Sequence, residues 1–150
     1  MNIQPVHFQT LTFKADLKRM FDKGELPTVK KGFYGMPLDK KNVSREHLLP
    51  KSKGGATKEA NIVLADKFIN WQRSNQPLTK FAHEKEAVEY LEQFKGVVVP
   101  GHKFNGNRYI ETVTKTLKRL GMDITEQVKQ MMADTPGTVK DTVKHLDLKA

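Results

Sequence analysis

Residues 43 to 74 constrain the fold most, because they spell strand, loop, strand and helix in that order. Val43-Ser44-Arg45-Glu46-His47-Leu48-Leu49 reads as one strand and Ile62-Val63-Leu64-Ala65 as a short buried one. Both are rich in β-branched or aliphatic residues, as strands are. Between them, Pro50 and the pair Gly54-Gly55 sit in a lysine-rich turn, where glycine permits a tight path at positive φ. Asp66 is then placed to cap a helix running through Lys67, Phe68, Ile69, Asn70 and Trp71 toward Ser74. Phe68 and Ile69, with Trp71 as a further candidate, are expected to pack that helix on the hairpin.

The polar residues of this stretch carry chemistry. Glu46 and His47 are adjacent, and Asn61 and Asn70 follow His47 by fourteen and twenty-three positions. Adjacent residues on a strand point to opposite faces, so this pair would serve one site only at a strand end or at a bulge.

The run Glu46-His47-Leu48-Leu49-Pro50 with Gly54-Gly55, Asn61 and Asn70 resembles the HNH nuclease signature, over roughly residues 43 to 78. The resemblance implies an α+β fold with a ββα-metal core surrounded by small α-helices. It implies metal-assisted cutting of a phosphodiester bond, with His47 as general base and Glu46 and Asn70 holding a single Mg²⁺ or Mn²⁺. Asn61 would be the middle residue of the motif, grouped with His47 in the catalytic machinery. Its expected work is structural, bonding backbone groups so that the loop from Lys51 to Ala60 is held over the second strand. Two features depart from the commoner pattern. The carboxylate is glutamate where many relatives have aspartate, and the absence of cysteine leaves no zinc knuckle to brace the motif.

Composition agrees with a nucleic-acid partner. The 150 residues carry a net charge of +9, spread unevenly. Residues 1–59 hold 12 Lys and Arg against 6 Asp and Glu, a balance of +6, and the remaining residues supply +3. A polyanion approaching the motif would meet this excess first. Arg45, Lys51, Lys53, Lys58 and Arg73 are the expected phosphate contacts. No apolar run approaches the roughly 20 residues of a membrane span. The N-terminal Met1-Asn2-Ile3-Gln4-Pro5 has no basic-then-apolar leader, and with no cysteine the expected setting is the cytoplasm, that of the host if the gene is phage-borne.

The chain reads as one domain, with the motif at 43–78 and a helical extension over about 80–150. Ahead of the motif, Phe13, Leu17, Met20 and Phe21 share a helical face that Gly24 ends, and residues 25–42 are irregular or hairpin-like. Phe33 and Tyr34 there are read as packing residues. Beyond the motif a helix is expected over Lys80–Lys95 with Ala87, Val88, Leu91 and Phe94 inward and four glutamates in solvent. Val97–Gly106 reads as a loop, in which His102 is a candidate phosphate contact. An amphipathic helix over Arg108–Leu120 ends at Gly121, and Asp123 with Glu126 forms a capping box for the next. With Lys115, Lys118 and Arg119 near its turn, this pair has a loose helix-turn-helix form, read as a packing unit in preference to a DNA reader. Thr135-Pro136-Gly137 breaks the chain. Val139, Val143 and Leu146 then keep helical spacing in a segment read as either a short docked helix or a frayed tail.

The leading expectation is a metal-dependent DNA endonuclease, monomer or homodimer, that nicks one strand per site. The alternatives are a basic nucleic-acid-binding protein that keeps the fold without cutting, and an RNA-directed nuclease.

Overall fold

The computed structural model describes residues 16–134, which are mixed α and β. The expected face residue Phe13, the Pro136-Gly137 break and the Val139–Leu146 segment lie outside them. Helix α1 (Leu17–Asp22) opens on Asp16, whose side chain accepts from the Arg19 amide, and it buries Leu17 and Met20. An irregular stretch with one bridge, Lys31 to Pro37, leads into strand β1 (Val43–His47). Strand β2 (Ile62–Asp66) pairs with it antiparallel, from Val43↔Asp66 to His47↔Ile62. Helix α2 (Lys67–Arg73) follows without a linker, because Asp66 caps it by accepting from the Phe68 and Ile69 amides.

All five residues of β2 are buried, so its free edge needs partners that a two-stranded sheet does not supply. Three side elements provide them. The Phe33 amide donates to the Leu64 carbonyl at 2.9 Å. The Tyr90 hydroxyl accepts from the Leu64 amide at 2.9 Å and meets the Tyr109 hydroxyl at the same distance. Tyr109 donates onward to the Ile62 carbonyl at 2.7 Å. Burial pushes both phenols above their ordinary range, so the relay stays uncharged. Tyr90 packs edge-on with Phe33 and Phe94, and Tyr109 packs at a tilt against Phe94 and Phe104, which makes this cluster the centre of the core.

Helix α3 (Glu84–Glu92) supplies Tyr90 and helix α4 (Gly106–Arg119) supplies Tyr109. α3 is shorter than the span expected from Lys80, since Pro77 and a 3₁₀ turn over Leu78–Lys80 occupy its start. The expected loop at Val97–Gly106 contains a small hairpin, β3 (Val98–Val99) with β4 (Phe104–Asn105), turned by a 3₁₀ segment at Pro100–His102. Helix α5 (Thr125–Ala133) closes the described chain. The expected capping box does not form: Ile124 is its N-cap, and Asp123 instead accepts from the amide and hydroxyl of Thr125. Among the described residues no helix is long and apolar enough to cross a membrane.

Candidate active site

The loop between β1 and β2 is set by one buried side chain. Asn61 accepts from the Leu49 amide at 2.8 Å and donates to the carbonyls of Leu49 and Ala56 at 3.0 and 2.9 Å. Leu49 and Ala56, on either side of the turn that carries Lys51 and Lys53, are thereby tied together, which is backbone bonding of the kind expected of this residue. The glycine pair answers two different demands. Gly54 sits at φ 92°, and a Cβ on Gly55 would fall 1.7 Å from the Leu49 carbonyl oxygen. Lys51, Lys53 and Lys58 are exposed on this loop, with no ion-pair partner among the described residues.

Asn70 ties α2 back to β1. Its amide nitrogen donates to the Ser44 hydroxyl at 3.0 Å and the Arg45 carbonyl at 2.9 Å, which leaves Oδ1 as its acceptor. Arg73, three residues on and so on the same side of the helix, is 1% exposed. Its guanidinium donates to the carbonyls of Gln76, His47 and Leu48 and stands 3.3 Å from Glu46 Oε2. The expectation that Arg73 reaches a phosphate is therefore corrected: it is a buried brace between α2 and the end of β1. The expected packing of α2 is corrected too. Phe68 and Trp71 are 64% and 79% exposed, Ile69 is half-buried, and the helix turns Asn70 and Arg73 toward β1.

Glu46 is 3% exposed and holds a second partner, the Tyr34 hydroxyl, which donates at 2.6 Å to the same Oε2. Burial raises its carboxyl above the ordinary value, against the downward pull of Tyr34 and Arg73. His47 faces the other way. The pairing register runs unbroken through Glu46↔Val63 and His47↔Ile62, without a bulge, so the two side chains leave the end of β1 on opposite faces. The imidazole is half-buried, with Nε2 2.8 Å from Thr57 Oγ1 in the loop. Partial burial, followed by the charges of Lys51 and Arg45, lowers its pKa below the ordinary 6.5. A neutral imidazole is the form that accepts a proton.

Arg45 is part-exposed, and both its Nε and a terminal nitrogen bond the Asp16 carboxylate, at 3.2 and 2.7 Å. A phosphate would have to share or displace that partner. His102 is likewise engaged, 3.0 Å from Glu25 Oε1.

Tyr34 and Thr57 are the polar neighbours that sequence reasoning missed. Tyr34 reaches Glu46 from an irregular segment twelve residues away, for which no periodicity gives a signal. Arg73 was legible by one route: if Asn70 faces inward, the i,i+3 rule turns Arg73 inward as well.

The donors suit a hard divalent ion, since they are a carboxylate and an amide oxygen. Among the described residues no three His, Cys, Asp or Glu side chains group as metal ligands, so a set built here draws on Asn70. The contacts of Glu46 to Tyr34 and Arg73 both fall on Oε2, and the Asn70 amide is oriented by its two donated bonds. The residues are compatible with an ion bound through Glu46 and Asn70, in competition with the charge of Arg73. No protein-family model matches this chain, nor does any curated protein or solved structure.

Proposed function

We propose that this chain is a metal-dependent endonuclease with an HNH-type ββα-metal core that hydrolyses phosphodiester bonds in DNA, one strand per site. The observation that carries the reading is the pair of asparagine ties. Asn61 clamps the loop that follows His47, and Asn70 fastens its helix to the strand that bears Glu46 and His47. Residues spread over twenty-five positions are thus carried by one hairpin and one helix.

In this reading His47, kept neutral at physiological pH by burial and by Lys51 and Arg45, takes the proton of the attacking water. Glu46 and Asn70 would hold one Mg²⁺ or Mn²⁺. That ion, when bound, supplies positive charge to the phosphorane and the leaving oxygen. Lys51, Lys53 and Lys58 hold the phosphate backbone, and Thr57 orients the imidazole. Arg73 and Tyr34 fix the Glu46 carboxylate. A double-strand break requires two sites or two events.

One observation favours a second reading, a binding protein that does not cut. Glu46 already has a cationic partner in Arg73, and its side chain leaves the strand on the face opposite His47. Supercoiled plasmid incubated with Mg²⁺ or Mn²⁺, and in parallel with chelator, separates the two. Nicked circles that form only with metal support the nuclease. Plasmid that is retarded on a gel yet stays supercoiled supports the binding protein, and cutting of RNA alone would change the substrate.

A further inference from the structure

Helix α2 exposes two large aromatic rings on one side. Phe68 and Trp71 lie three positions apart, which makes them neighbours on a helix surface. Their 64% and 79% exposure is the highest of the large hydrophobics among the described residues. The surroundings are cationic. Lys67 stands with its ammonium 5.7 Å from the Phe68 ring centroid. The turn bearing Lys40 and Lys41 is fastened to the start of α2, through the Lys67 amide on the Asn42 carbonyl and the Asn42 amide on Asp66.

The nearby carboxylates keep their charge, but their oxygens bond backbone amides in place of these lysines. Asp39 Oδ1 is spent on the amides of Lys41 and Asn42, and Asp66 caps the helix. Lys40, Lys41 and Lys67 have no salt-bridge partner among the described residues.

The two rings by themselves are too small for a dimer seam. Two aromatic side chains bring roughly 300–500 Å², short of the roughly 800 Å² per partner of a stable interface. A second copy with net charge +9 would also bring like charge to a lysine rim. Flat rings beside unpaired cations match a polyanion that carries exposed π-faces, which is a nucleic-acid strand with unpaired bases.

We propose that Phe68 and Trp71 form a stacking platform for unpaired bases, with Lys40, Lys41 and Lys67 holding the adjoining phosphates. The inference rests on the nuclease reading and narrows its substrate to strands with exposed bases, such as single strands, gaps, bulges or branch points.

Trp71 is the chain's one tryptophan, so its emission reports this surface alone. The full chain, in chelator to prevent cutting, is titrated with a labelled oligothymidylate and separately with a duplex of equal length. Anisotropy of the label gives binding, and Trp71 emission gives stacking. The oligothymidylate is expected to quench Trp71. Trp71→Ala is expected to weaken that binding about 5- to 150-fold, the worth of one stacked base, while duplex binding stays unchanged. Phe68→Ala is expected to act in the same direction.

Oligothymidylate that binds without quenching Trp71, or binds Trp71→Ala as tightly as wild type, overturns the platform. Metal-dependent plasmid nicking would then still stand. Failure of both nucleic acids to bind overturns the platform and the nuclease reading together. A blue shift of Trp71 emission that grows with protein concentration, without DNA, assigns the face to a second copy and overturns the proposal as well.

Discussion

Helices α2 and α4 obey opposite rules. α4 turns Tyr109, Ile110, Val113 and Leu117 into the core and leaves Lys115, Lys118 and Arg119 in solvent, the ordinary amphipathic arrangement. α2 buries Arg73, turns Asn70 to the hairpin, and leaves Phe68 and Trp71 in water. The first helix is held by area removed from water, the second by directed bonds to β1. The difference teaches where stability and chemistry separate. A helix fixed by hydrogen bonds has defined orientation at a polar site, and its apolar face is free for another use.

Replacing the buried anchor of each helix tests that contrast most severely. Arg73→Met should destabilise by about 3–5 kcal/mol, since it leaves Glu46 buried without its cation. Leu117→Ala in α4 should cost about 2–5 kcal/mol through a cavity. Urea unfolding measures both, and high salt should leave each loss nearly intact because neither depends on surface charge. An Arg73→Met protein as stable as wild type would break the comparison.

Asn61→Ala comes next. It strips partners from the Leu49 amide and from the carbonyls of Leu49 and Ala56, at about 1–3 kcal/mol for each group left buried and unpaired. Melting temperature and nicking rate should fall together. Loss of bound metal at unchanged stability would instead make Asn61 a ligand.

Tyr34→Phe is smaller, about 1.5–3 kcal/mol for a bond to a charged acceptor. Its sign with pH is diagnostic. The Glu46 pKa already lies above the ordinary 4.5, so the contribution of that carboxyl to stability is greatest below the unfolded value and declines as pH rises through the folded one. Removing the Tyr34 hydroxyl raises the folded value further. In chelator, the stability gap between variant and wild type should therefore widen from acid to neutral pH. A constant gap would mean that the hydroxyl does not stabilise the ionised carboxylate.

The smallest effect belongs to the exposed aromatics. Phe68→Ser and Trp71→Ser should change stability by no more than about 0.5 kcal/mol, as surface changes do. A loss of several kcal/mol on unfolding would show that these rings are packed after all.

The same contrast explains what the sequence made legible. β1, β2, the Asp66 cap, the Gly54 turn, α4 and its inward residues followed from local signals, because the interactions that decide them are short in range, whereas the Asn61 clamp, which spans twelve residues to Leu49, was legible through the resemblance. The orientation of α2 was not legible from hydrophobic periodicity, since that rule assigns aromatic residues to the inside and here the inside is polar. Tyr34 and Thr57 were missed because each meets its partner across irregular chain. The tyrosine relay along β2 was missed for the same reason. Tyr90 and Tyr109 find the strand edge only once α3 and α4 are docked.

The central claim is that His47 is the base at a cutting site, and single-turnover nicking tests it most directly. Wild type and His47→Ala are compared on supercoiled plasmid in one Mg²⁺ buffer, at protein concentrations that anisotropy shows to saturate the DNA. The account predicts that His47→Ala binds as wild type and unfolds at nearly the same temperature, with nicking slowed about 10²–10⁴-fold. Equal nicking rates for the two proteins would contradict it.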